Sequence, residues 1–248
     1  MKNILILKEC NQLIYFRMVI SKNFYSNRIV KKPWGYEYVI YNSLNRLAIT
    51  YVYINNKKST SLHCHPKKKT GFIILKGTAL VQIGIYKKNK KRFKSLSRLV
   101  FRPGLFHSLK AISKKGMSAL EFEIPYKKND LIRFEDKYGR RNKDYEGSKF
   151  TSIIKPNLIK FAKPSKKKRN TYQLDGVEIS IERTKNLKNL STQDANSSTA
   201  ILEGKITDKK NQEVISYGEI VKSSTLKILS KKYKIKKPLL ILNVKKNK

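Results

Sequence analysis

His63-Cys64-His65-Pro66-Lys67-Lys68-Lys69-Thr70-Gly71-Phe72-Ile73-Ile74-Leu75-Lys76-Gly77-Thr78-Ala79 is the stretch whose reading decides the fold. Side chains alternate along an extended strand, so two histidines separated by one residue project to the same side and can grip one cation together. Cys64 then points to the opposite face, as a core residue rather than a ligand. A third imidazole, His107, follows a tight Arg102-Pro103-Gly104 turn, and the chain holds only these three histidines. The pattern predicts a metal site of His63, His65 and His107 built on paired strands.

Working outward, short β-branched and aromatic runs separated by Lys, Asn, Gly and Pro turns surround this stretch. A Pro33-Trp34-Gly35 corner opens an alternating strand to Tyr41, and a second strand covers 46–55. Further strands are predicted at 71–75, 78–86, 97–101, 108–112 and 118–124. Strands at such intervals without a helical period indicate an all-β sandwich or barrel. The charged segment Asp130 to Arg141 reads as a short helix or turn, and 151–170, with its Lys166-Lys-Lys-Arg169 run, as a basic linker. Strands resume at 199–206, 212–221, 225–229 and 238–244. Ile201-Leu202-Glu203-Gly204-Lys205 echoes Ile74-Leu75-Lys76-Gly77-Thr78, which points to an internal duplication whose second copy has no histidine. The domains expected are an extension at 1–30, a metal-binding domain at 31–150, the linker at 151–170 and a degenerate second domain at 171–248.

Composition limits the functions open to the chain. The 248 residues carry 56 Lys and Arg against 17 Asp and Glu, for a formal charge of +39. Most of the cations are Lys, spread along the whole length, whereas Arg is the usual residue for forked recognition of phosphates and base edges. The excess therefore predicts weak, non-specific attraction to polyanions and no specific nucleic-acid partner. Two cysteines, Cys10 and Cys64, make no disulfide framework. The segment 4–20 is too polar and too short to span a bilayer, so a cytoplasmic protein without a membrane partner is expected.

His63-Cys64-His65 with Gly77, followed by Pro103-Gly104-Leu105-Phe106-His107, resembles the two-part signature of the cupin family. The resemblance implies a double-stranded β-helix, the jelly-roll barrel, and with the duplication a bicupin whose second lobe is degenerate. It also implies a divalent metal inside the barrel, one of Zn, Fe, Mn, Ni or Co, to which neutral imidazoles are suited. Cupins place a Glu seven residues before Gly77; that position is Thr70 here, so the three-histidine face would be completed by water, by substrate or by a side chain from elsewhere, with Glu121, Glu123 and Gln82 as candidates.

Lys32-Pro33-Trp34-Gly35, Gly77-Thr78-Ala79 and Asp130 to Arg140 are similar to the cupin domain of type II mannose-6-phosphate isomerases and of stand-alone sugar-pathway cupins. What this implies is a sugar-phosphate isomerase or epimerase acting in carbohydrate or surface-polysaccharide metabolism, with a sugar or sugar phosphate as its small-molecule partner and, as is common among cupins, a homodimer. Glu123 matches a Glu of the family and is the expected proton shuttle. Arg133 and Arg140 offer forked donors for a phosphate, Arg140 doubling as a catalytic candidate, and Gln82 a further substrate contact. A non-catalytic sugar-binding module and a three-histidine iron dioxygenase are the alternatives.

Overall fold

The computed structural model describes residues 27–43, 46–141, 148–153, 155, 157–165, 168–186, 194, 196–233, 235 and 237–247. Cys10, most of the expected N-terminal extension and two lysines of the basic run lie outside them. The first lobe runs β1 (Arg28–Lys32), β2 (Gly35–Ser43), β3 (Leu47–Ile54), β4 (Leu62–Cys64), β5 (Lys69–Lys76), β6 (Thr78–Ile83), β7 (Lys90–Lys94), β8 (Arg98–Phe101), β9 (His107–Ala111), β10 (Met117–Ile124), β11 (Ile132–Glu135) and β12 (Thr151–Ile153). Seven strands form one sheet in the order β12-β1-β2-β3-β10-β5-β8, and five form a second in the order β11-β4-β9-β6-β7. The eight strands from β3 to β10 alternate between the sheets as 3-10-5-8 and 4-9-6-7, with every registered pair antiparallel. This is the two-Greek-key strand order of a jelly roll, the double-stranded β-helix.

Strands β3, β5 and β10 are buried on both faces, which is why their sequences read as nearly continuous apolar runs. One parity, including Val52, Ile54, Phe72, Ile74, Met117 and Ala119, fills the closed end of the barrel. The other, including Ile49, Tyr51, Ile73, Leu75, Leu120 and Phe122, faces away and joins the core of a second lobe. That lobe is built from β13 (Arg169–Leu174), β14 (Val177–Thr184), β15 (Ser198–Glu203), β16 (Ile206–Thr207), β17 (Glu213–Ile215), β18 (Ile220–Lys222), α1 (Ser223–Lys232) and β19 (Leu239–Lys246).

Its five-stranded sheet has the order β13-β14-β19-β15-β18, which repeats β2-β3-β10-β5-β8 strand for strand. The glycines of the two echoing tracts occupy matching places. Gly77, at φ +80°, closes on the backbone of Gly116 and Met117 at the start of β10; Gly204, at φ +87°, closes on Pro238 and Leu239 at the start of β19. Both need the left-handed backbone that favours glycine. Among the described residues the opposing sheet is reduced to the β16–β17 hairpin and the helix α1. The duplication is thus visible as one complete and one half-dismantled barrel, packed back to back through a shared core in which Val177, Ile179, Leu240, Leu242 and Val244 meet the outer face of the first lobe.

Two elements differ from expectation. The segment at 225–229 is helical, because Leu226 and Leu229 recur at a spacing that gives one inward stripe while Ile228 is left 62% exposed. Ile132–Glu135 form the strand β11 rather than a helix, since pairing with the free edge of β4 satisfies their backbone groups. Within the stretch expected as a linker, Thr151–Ile153 pair with β1, and Phe161 is buried in the shared core with its amide bonded to the Ile40 carbonyl.

Because the core is shared, Leu242→Ala in the second lobe should lower stability by about 2–5 kcal/mol. The fluorescence midpoint of the single tryptophan, Trp34 in the first lobe, should shift with the far-UV dichroism in one transition. Two separate transitions would show that the lobes fold independently.

Candidate metal centre

Each histidine is placed by a local device. Arg102-Pro103-Gly104-Leu105 form a β-turn closed by the Leu105 amide on the Arg102 carbonyl, with Gly104 at φ +77°. The Gly104 amide also donates to the His65 carbonyl at 2.9 Å, tying this turn to the end of β4. His107 then opens β9 directly opposite His63 on β4. The three ring centroids lie 4.6, 5.0 and 5.5 Å apart, and Phe101 stacks on His107 at 4.1 Å with nearly parallel planes.

Every ring has its Nδ1 against a backbone carbonyl: His63 on Ser61 at 2.8 Å, His65 on Asp130 at 2.5 Å and His107 on Leu105 at 3.0 Å. A carbonyl only accepts, so Nδ1 carries the hydrogen in each ring and the Nε2 lone pair is left free. Ligand nitrogens of the three rings fall within 4.8 Å of one another. His65 Nε2 and His107 Nε2 are buried without a hydrogen-bond partner. Burial, joined by the charge of Lys68, pushes His65 down to about 2, and burial pushes His107 down to about 4. Buried, neutral imidazoles with fixed tautomers and converging lone pairs fit a divalent cation, and the backbone carbonyls are the partners that orient such ligands. No carboxylate joins this cluster among the described residues. Thr70, at the place expected of a fourth ligand, is buried with its hydroxyl unpartnered.

His63 and His65 share a cavity of about 70 Å³ with Trp34, Glu37, Lys68, Glu121, Glu123, Lys128, Arg133 and Arg140, and His107 packs against them from β9. Glu121 and Glu123 have the interior parity of β10 but opposite electrostatics. Glu123 accepts from Lys68 at 2.6 Å, Lys128 at 2.7 Å and Thr50 at 2.8 Å. Burial alone would raise its pKa, but the two ammonium groups outweigh burial and hold it well below the usual carboxylate range. Glu121 has no such clamp; burial, together with the Glu123 charge, pushes it up to about 8. Lys128 also faces Glu37 at 3.5 Å, and its ammonium is stabilised by these carboxylates despite burial.

Of the other expected site residues, Arg133 is buried on β11 beside His63 and lines the cavity. Arg140 also lines it, held by Asp136 at 2.7 Å and lying over the Tyr138 ring. Gln82 is not brought to the histidines: on β6 it has the parity opposite to Ala79 and Val81 of the barrel core, and it lines a different hollow on the outer face of the sheet. Three residues escaped sequence reasoning. Lys68 and Lys128 were lost among so many lysines. Asp130 holds the loop after β4 by accepting the Lys67 and Lys68 amides with its carboxylate while its carbonyl takes His65.

Strand order and pairing are those of a jelly roll, the double-stranded β-helix, with the three histidines brought together on its strands and the loops beside them. Solved structures similar to the chain include KdgF from Halomonas sp., at 14% identity over 39% of this chain and 84% of that one, with a TM-score of 0.35. The Schizosaccharomyces pombe Cnp3 cupin domain matches at 16% identity over 37% of this chain and 64% of that one, with a TM-score of 0.33. An uncharacterized conserved protein with a double-stranded β-helix domain from Klebsiella pneumoniae matches at 15% identity over 40% and 79%, with a TM-score of 0.36. No family model and no curated protein matches the sequence. No helix among the described residues is long and apolar enough to cross a membrane.

The state of Glu121 has a measurable consequence in metal-free protein. A carboxyl raised from 4.5 to about 8 holds its proton in the folded chain while the unfolded chain releases it, so the wild type loses stability as pH rises from about 4.5 through 8. Glu121→Gln removes this loss. The stability of the variant relative to wild type should climb across that window by at most about 1.4 kcal/mol per pH unit, then level off. Urea unfolding at stepped pH would measure it, and a difference independent of pH would mean that Glu121 is ionised in the native protein.

Proposed function

We propose that the chain is a metal-dependent cupin enzyme of the sugar-phosphate isomerase or epimerase type. The observation that carries this reading is the convergence of three imidazole ligand nitrogens beside a cavity that also holds Glu121, a carboxyl outside the lysine clamp on Glu123. A divalent cation bound by His63, His65 and His107 would polarise neighbouring hydroxyl and carbonyl oxygens of a sugar. Moving a proton between adjacent carbons also needs a group that can be both acid and base at working pH. Glu121, in the same cavity and outside the lysine clamp, is placed for that role. Glu123 does not, because two lysines and a threonine hold it as a carboxylate. In this reading Glu123 anchors Lys68 and Lys128, and the proton-shuttle role expected for it passes to Glu121. Arg133 and Arg140 supply cationic donors toward the anionic end of a substrate.

A non-catalytic binding module is the second reading, favoured by the size of the cavity. About 70 Å³ is below the size of ordinary small-molecule sites, and Lys68, Glu123 and Lys128 line it.

Metal analysis and turnover separate the two. Purified protein should bind about one equivalent of a divalent cation, and His65→Ala or His107→Ala should lose it. The metal-loaded chain should interconvert mannose-6-phosphate and its ketose isomer. Glu121→Gln should lower kcat by about 100-fold or more, within the range general acid–base catalysis supplies, without lowering metal content. One equivalent of metal with no turnover of any hexose phosphate would overturn the isomerase reading, and oxygen uptake by the iron-loaded chain would then separate a dioxygenase from a binding module.

A further inference from the structure

The strands that carry the histidines inward present a second hollow on their outer side. Ser108 and Lys110 on β9 have the parity opposite to His107 and Leu109, Leu62 on β4 opposite to His63, and Leu80 and Gln82 on β6 opposite to Ala79 and Val81. With Ser59, Thr60, Lys87, Lys90, Glu135 and Lys137 they enclose about 340 Å³, several times the volume at the histidines and within the size of a small-molecule site. The register packs these groups side by side: Leu80 opposite Lys110, Gln82 opposite Ser108 and Gln82 opposite Lys90.

The lining has a definite chemistry. Four lysines and one glutamate line it, a balance that favours an anion. Ser59, Thr60, Ser108 and Gln82 add neutral hydrogen-bonding groups around a floor of Leu62 and Leu80. Gln82 is 93% buried in this wall, and its amide nitrogen finds only the Gly84 and Ile85 carbonyls, both at 3.4 Å. No aromatic ring lines the hollow, so it offers no stacking platform for a nucleobase.

We propose that the outer face of the second sheet is a binding site for a phosphorylated sugar, distinct from the histidine cavity. The lysines hold the phosphate, and Gln82 and Ser108 meet sugar hydroxyls over the leucine floor. The inference does not rest on the activity proposed for the histidines, because the two sites lie on opposite faces of the same strands.

Calorimetric titration of the full chain with mannose-6-phosphate, and separately with inorganic phosphate, tests it. The sugar phosphate should bind at least about tenfold more tightly than phosphate alone. Lys90→Glu with Lys110→Glu should weaken it by about tenfold or more, whereas Lys227→Glu with Lys231→Glu, an equal charge change on α1, should cost less than about threefold. Gln82→Leu, which changes no charge, should weaken the sugar phosphate and leave inorganic phosphate unaffected. His107→Ala should leave this binding in place even if it abolishes metal and turnover, so failure at one site is told from failure at the other. Equal losses in the two double variants would reduce the effect to the overall charge of the chain. Loss of binding in His107→Ala would move the ligand to the barrel interior, and either result would overturn the proposal.

Discussion

Side-chain alternation along three strands buried on both faces is the constraint from which the remaining structure follows. In β3, β5 and β10 one parity packs inside the barrel and the other builds the core shared with the second lobe. A slip of one residue would carry Glu121 and Glu123 into that shared apolar core and turn the apolar residues beside them inward. Neither carboxylate is tolerable there without its cations. The register is therefore fixed twice, by apolar burial on the outside and by charge on the inside. The barrel geometry that gathers the histidines is its by-product.

Inside the barrel, two carboxylates a pleat apart reach opposite protonation states because only one of them is clamped. The ion cluster of Lys68, Glu123, Lys128 and Glu37 is structural in character: it is buried, closely spaced and tied to Thr50. Its effect on Glu121 is indirect, since the fixed charge on Glu123 disfavours a second charge nearby. The second lobe shows the same position without this chemistry. Asn243 pairs with Thr199 and Ile241 with Ile201, as Glu121 pairs with Phe72 and Ala119 with Ile74. Asn243 is thus the counterpart of Glu121, and its amide is spent on Ser197, Thr199 and Ser223 in a closed, buried cluster.

The parts legible in the sequence were those with a short period and a strong contrast. The histidine pair, the Pro-Gly turn before His107 and the apolar strands around them could be read directly, as could the echo of Gly77 in Gly204. The strand β7 could not, because Lys90 to Lys94 contain one apolar residue, Phe93, and read as a turn. The hairpin β13–β14 lies outside the expected strands although Val177 to Thr184 alternates. The cations that hold Glu123 left no trace against so many other lysines, because a buried lysine and a surface lysine look alike until a carboxylate is placed beside one. Gln82 was recoverable: alternation from Val81 places it outside the barrel.

That lysine-laden strand also closes off one margin of the five-stranded sheet, where β7 pairs with β6 on one side only. A margin of this kind leaves a row of backbone amides and carbonyls open to another chain, the usual starting point of strand-to-strand aggregation. Lys90, Lys91, Arg92 and Lys94 set four like charges along it, so two copies brought margin to margin repel before their backbones can meet. The cationic excess that obscures this strand in the sequence thus guards the protein against stacking into fibres.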